Sequence, residues 1–191
     1  MEYTEVFSQW TTSTFTVPAT CADAKPTFYA QLAEVDPAKG DQYNNNYFKG
    51  VTVLKPEEDR VNYVQTTTDI KQALIFTYDP STRQLQEWPR GRIANVDNYS
   101  NFQLFGLNTQ EYITGRSYNK LDCVLAAPSA GVEYLDCQVL TSFWPLTVLQ
   151  TCPLYDEYFD TPLVIGEEWS ETSPDCFRKR IKLVRACAKK P

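Results

Sequence analysis

The side chains able to do chemistry in this chain are carboxylates, cysteines and one basic, aromatic loop, because the sequence contains no histidine. That absence excludes Ser-His-Asp and Cys-His catalysis, HExxH zinc sites and 2-His-1-carboxylate iron. Acid–base work would fall to the neighbouring acids Glu57-Glu58-Asp59, Asp156-Glu157 and Glu167-Glu168. Glycoside hydrolysis needs two carboxylates facing one cleft, and adjacency in sequence does not supply that geometry. Solvated turn residues account for the same runs. A nucleophilic cysteine needs a base or a positive neighbour to become thiolate, and six cysteines are better paired than free. The chain has no GxSxG elbow, no GxxxxGK[ST] loop and no DxDxDG calcium loop. We therefore expect neither an enzyme nor a cofactor.

The cysteines stand at Cys21, Cys123, Cys137, Cys152, Cys176 and Cys187. An even, widely spaced set without CxxC reads as three disulfides in a secreted protein. Cys123 and Cys137 flank the turn segment 126–131, which suggests a hairpin staple. Cys21 and Cys187 would then tie the two ends, leaving Cys152 with Cys176. No apolar run reaches the length of a membrane span. No signal-peptide pattern opens the sequence, so secretion implies a leader already removed. A net charge of −6 argues against nucleic acid and anionic membranes as partners. Asn98-Tyr99-Ser100 is a glycosylation sequon in a polar stretch.

Strand signals must position these groups. Short Val-, Thr-, Tyr- and Phe-rich runs are punctuated by Pro, Gly, Asn and Asp. They fall near 14–17, 28–35, 50–54, 61–66, 73–78, 84–87, 101–107, 112–114, 122–125, 134–139, 146–151, 163–165 and 181–186. No window has a helical face of three turns. About twelve short strands predict one all-β domain over 1–191, a barrel or a sandwich. A faint repeat sharpens this. Phe102–Leu107 followed by Tyr112–Gly115 echoes Val148–Cys152 followed by Leu163–Gly166, and Phe28–Leu32 opens an earlier copy. Three four-strand copies starting near 28, 102 and 148, with an insertion in the first, predict a disulfide-braced β-trefoil. Another small β-barrel or sandwich is the alternative.

Binding is the chemistry left. Aromatic residues make up 14% of the chain, and Trp and Tyr in loops supply contact energy to proteins and stack on sugars. Two long loops, 36–50 and 87–100, carry the candidates, since long loops in compact domains are commonly functional. The first offers Tyr43, Asn45, Tyr47 and Phe48. The second offers Trp88, Arg90 and Arg92, a basic and aromatic contrast in an acidic chain. Tyr99, Trp144, Tyr155 and Tyr158 are further loop aromatics. Surface turns paired to local acids, or core positions, would explain the same residues.

The C-terminal half, with Leu121-Asp122-Cys123, Leu135-Asp136-Cys137, Thr151-Cys152-Pro153, Leu163–Gly166 and Cys176, resembles cysteine-patterned secreted proteins of filamentous ascomycete fungi. Many of those are cell-wall-associated or candidate effectors. The likeness spans roughly residues 120–187 and is one of pattern. With a trefoil, it implies a Kunitz-type or mycocypin-like inhibitor, monomeric and acting in the host apoplast. The implied target is a host secreted protease, with a papain-like cysteine protease as first choice. The alternative is a carbohydrate-binding cell-wall module, although the Gln-x-Trp repeat of ricin-type lectins is missing.

Overall fold

A computed structural model describes residues 26–35, 43–53, 61–97, 103–116, 118–126, 131–140, 145–151, 163–166 and 176–186. Alternation of apolar and polar residues builds most of its elements. In β4 (Ile75–Asp79) and β5 (Gln84–Trp88) every second residue is buried. The turn between them is set by Asp79, whose Oδ1 accepts from Ser81 N–H at 2.9 Å and from the Ser81 hydroxyl at 2.6 Å. These bonds, the Ser81 hydroxyl foremost, hold the Asp79 carboxyl below its ordinary pKa.

The remaining strands in chain order are β1 (Thr27–Glu34), β2 (Tyr47–Val53), β3 (Val61–Thr67), β6 (Ile93–Asp97), β7 (Gln103–Asn108), β8 (Asn119–Lys120), β9 (Asp122–Leu125), β10 (Tyr134–Leu140), β11 (Pro145–Leu146), β12 (Val148–Thr151), β13 (Leu163–Gly166) and β14 (Phe177–Ala186). The pairings named below are antiparallel. Neighbours followed in the order β1–β4–β5–β6–β7–β13–β12–β14 return to β1, which closes an eight-strand barrel. The closing pair is long, running from Thr27↔Ala186 to Glu34↔Lys179. The fold is therefore all-β.

Other strands join this wall where an edge is shared. The hairpin β2–β3 meets β1 at Gln31↔Tyr47 and β7 at Tyr63↔Gly106. The hairpin β9–β10 meets β14 at Leu135↔Ile181. β9 also reaches the start of β5, because Cys123 N–H donates to the Arg83 carbonyl at 2.9 Å. The Tyr78 hydroxyl donates to the Cys123 carbonyl at 2.8 Å.

One large cluster forms the main core. Phe28, Ala30 and Leu32 of β1, Phe76 of β4, Leu85 of β5, Leu135 of β10 and Ile181 of β14 pack with Phe48, Phe105, Leu163 and Ile165. Phe48 stands edge-to-face against both Phe76 and Phe105, with ring centroids 5.9 and 5.5 Å apart. The expected staple is present. Cys123 and Cys137 lie directly opposite one another on β9 and β10 and are disulfide-bonded. Cys176 is also disulfide-bonded. Cys21, Cys152 and Cys187 lie outside the described residues, as do the expected strand at 14–17 and the acids Glu57, Asp156 and Glu167.

Three expectations require correction. Residues 112–114 are helical, within α1 (Gln110–Arg116). Thr109 starts that helix, its hydroxyl accepting from Tyr112 N–H at 3.2 Å and its carbonyl from Ile113 N–H at 3.0 Å. The loop expected over 87–100 is interrupted by β6, and the loop over 36–50 ends where β2 begins at Tyr47.

Candidate functional site

The second candidate loop is reduced to a tight connection from β5 to β6. Its anchor is Glu87, the last inward-facing residue of β5, only 2% exposed. A buried carboxylate is costly unless it is paired. Arg92 supplies the pair, its Nε donating to Oε2 and its Nη2 to Oε1 at 2.8 Å. This two-pronged fit suits a guanidinium and not an ammonium. Arg90 adds a third bond to Oε1 at 3.2 Å.

The backbone closes the same connection. Glu87 N–H donates to the Arg92 carbonyl and Gly91 N–H to the Glu87 carbonyl, each at 2.8 Å. Gly91 sits at φ 70° with open space around it, a conformation that favours glycine. The Trp88–Pro89 peptide bond is cis. Pro89, Arg90 and Gly91 are exposed at the tip, and Trp88 is half-buried beside Ile75 on the next strand.

The first candidate loop ends in a turn over Tyr43, Asn44 and Asn45, just before β2. Tyr43 and Asn45 both take left-handed backbone, φ 65° and 62°. The turn is held to β1 because Asn45 N–H donates to the Leu32 carbonyl at 2.9 Å and Leu32 N–H to the Asn46 carbonyl at 2.8 Å. Gln31 Nε2 adds a bond to the Asn45 carbonyl at 2.8 Å. Tyr43 rests edge-to-face on Phe177, 5.6 Å between centroids.

The candidate residues thus separate into three groups. Asn45 and Arg90 are exposed, Arg90 at 68% of its side chain. Tyr43, Tyr47 and Trp88 each keep part of their surface in solvent. Phe48 and Arg92 present little or no surface. Phe48 is fully buried because residue 48 faces inward once β2 begins at Tyr47, and Arg92 is 13% exposed because it neutralises Glu87. Both loops lead from a barrel strand into a following strand, β1 into β2 and β5 into β6. Tyr99, Trp144, Tyr155 and Tyr158 lie outside the described residues. Sequence reasoning missed Glu87 as the organiser. Its only signal was an acid followed by two arginines within five positions.

Tyr29 and Tyr47 meet edge-to-face at 72° and form no flat stacking platform. No helix among the described residues is long and apolar enough to cross a membrane. No protein-family model, curated protein or solved structure matches the chain.

Proposed function

We propose that the chain is a β-trefoil protease inhibitor that acts as a rigid plug. The observation that carries this reading is the Glu87–Arg92 lock beneath the exposed tip Pro89-Arg90-Gly91. A tip held by two backbone bonds and a buried ion pair loses little entropy on docking. Because Gly91 N–H folds back to the Glu87 carbonyl, the tip is a turn and not an extended strand. It therefore obstructs a cleft rather than lying along it as a substrate would. The proposed contacts are Trp88 and Arg90, with Tyr43, Asn45 and the exposed edge of Tyr47 as a second set.

Strand order supports the trefoil. The shorter circuit β1–β4–β5–β9–β10–β14 also closes, with β5 and β9 joined by the Cys123–Arg83 backbone bond. The hairpins β2–β3, β6–β7 and β12–β13 fall between its successive members and meet through β3–β7 and β7–β13. Strand, hairpin, strand then occurs three times. On this division the copies begin at β1, β5 and β10, and the expected starts near 102 and 148 fall at the hairpin strands β7 and β12 instead. Disulfide bonding of Cys123, Cys137 and Cys176 is consistent with secretion. The host-protease target and the fungal setting rest on the resemblance of the cysteine pattern.

The test is titration of the oxidised chain against a papain-like and a trypsin-like protease. Inhibition of the papain-like enzyme that weakens at least about tenfold in Arg90→Ala or Trp88→Ala supports the reading, since contacts of this kind contribute over 1 kcal/mol. No inhibition of either enzyme at micromolar concentration, or inhibition untouched by both substitutions, overturns it.

A further inference from the structure

Between β3 and β4 the chain makes one short 3-10 turn, Ile70–Gln72. Asp69 caps it, Oδ1 accepting from Lys71 N–H at 2.9 Å and Oδ2 from Gln72 Nε2 at 3.2 Å. Asp69 N–H donates in turn to the Thr67 hydroxyl at 3.1 Å. Gln72 N–H and Ala73 N–H close the turn onto the Asp69 and Ile70 carbonyls, at 3.0 and 3.2 Å. Leu74 then ties the segment down. Its N–H donates to the Phe48 carbonyl at 2.8 Å, and its side chain packs on the main core. The turn is thus held in one shape from both ends.

Its tip is apolar. Ile70 is 46% exposed, and Val35 is the only other large apolar side chain so exposed among the described residues. A single exposed aliphatic group is ordinary on a protein surface. Position distinguishes this one. Thr67, where β3 ends, pairs with Tyr47, and Ile75, where β4 begins, pairs with Trp88. The turn therefore runs from Tyr47 to Trp88, one member of each proposed contact set. Ile70 stands between the two sets at the same end of the barrel and joins them into one patch.

We infer that Ile70 is the apolar anchor of this interface, seated in an apolar recess of the protease beside the cleft that the Pro89-Arg90-Gly91 tip obstructs. The inference rests on the inhibitor reading and adds to it a residue that decides which proteases fit. Branching at Cβ restricts the Ile70 rotamers, and the Asp69 cap fixes its backbone, so docking orders little that is still free. The recess is apolar because Ile70 offers only methyl and methylene groups, and polar groups facing it would lose their hydrogen bonds to water.

The experiment titrates the oxidised chain and its Ile70 variants against the papain-like protease, with Trp88→Ala and Arg90→Ala measured alongside. Ile70 has just under half its surface left to bury, so Ile70→Ala should weaken inhibition about three- to tenfold. Ile70→Asp should weaken it further, since a carboxylate would enter an apolar recess. Ile70→Val keeps the shape and should stay within about threefold of the parent. Unchanged urea midpoints establish that the variants are folded. Ile70→Ala and Ile70→Asp within about twofold of a parent that Trp88→Ala or Arg90→Ala weakens would overturn this inference alone and leave the inhibitor reading standing. Ile70→Asp no weaker than Ile70→Ala overturns the apolar recess. Weakening by the Ile70 variants with Trp88→Ala and Arg90→Ala both silent overturns the shared interface, and the loop reading with it. No inhibition by the parent overturns both.

Discussion

Replacing Glu87 by alanine isolates the lock beneath the candidate loop. The substitution removes both acceptors of a side chain that is 2% exposed and leaves the Arg92 guanidinium, 13% exposed, without them. Loss of one member of a buried ion pair costs about 3–5 kcal/mol, chiefly by stranding the other charge. Arg92 retains some contact with solvent, so the lower end, about 3 kcal/mol, is expected. The bond to Arg90 adds little because that side chain is 68% exposed. Glu87→Gln keeps the shape and one acceptor oxygen and should cost about 1–2 kcal/mol. Replacing both partners, as Glu87→Met with Arg92→Met, should recover most of the loss, because no charge is then left buried. Urea unfolding with an unchanged slope measures each variant, and the single variants Glu87→Met and Arg92→Met complete a double-mutant cycle with the parent and the double variant. A loss under about 1 kcal/mol in Glu87→Ala, or a double variant no more stable than that single one, would refute the reasoning.

Three further outcomes follow from individual groups. Gln150 is fully buried on β12, and among the described residues neither end of its amide has a hydrogen-bond partner. Gln150→Leu should therefore raise stability by about 1 kcal/mol or more, and a lowered urea midpoint would contradict this. The Cys123–Cys137 bridge closes a loop with a sequence separation of 14, so the paired serine variant should lose about 3 kcal/mol. An unchanged midpoint would show that the bridge constrains nothing. Glu133 has its pKa raised by burial, which the nearby positive charge of Arg185 only partly opposes. Its folded form thus takes up a proton more readily than its unfolded form. The destabilisation is present above the raised value and is relieved as pH falls through it. Glu133→Gln should melt higher than the parent at pH 7, with the difference fading near about pH 4.

Local chemistry made much of the wall legible in the sequence. Alternation in β4 and β5, the Asp79 turn and the Cys123–Cys137 hairpin are short-range features, each contained within a few residues or one turn. The helix α1 was hidden because Tyr112-Ile113-Thr114 has strand-like composition, and only the Thr109 cap decides for a helix. Phe48 was misjudged by one element boundary, since a strand beginning at Tyr47 turns a loop aromatic into a core residue. The Glu87–Arg92 pair carries no periodic signal at all. Its role depends on Glu87 facing inward at the very end of a strand, which only the assembled barrel determines. The exchange of β12 for β10 along one edge of β14 is further still from local pattern.

The long pairing of β1 with β14 also governs when the barrel can form. Thr27 and Ala186 are partners across 159 positions, joined by a hydrogen bond from the Thr27 hydroxyl to the Ala186 carbonyl. The strand that seals the β1 edge is thus synthesised long after β1 itself. Hairpins β4–β5 and β9–β10 can assemble before it, and the Cys123–Cys137 bridge with them, but closure waits for β14. Until then the inward face of β1, with Phe28, Ala30 and Leu32, lacks its neighbours Ile181 and Leu183. Barrel closure is therefore gated by the arrival of β14, and the growing polypeptide passes through an open-edged state that is prone to association.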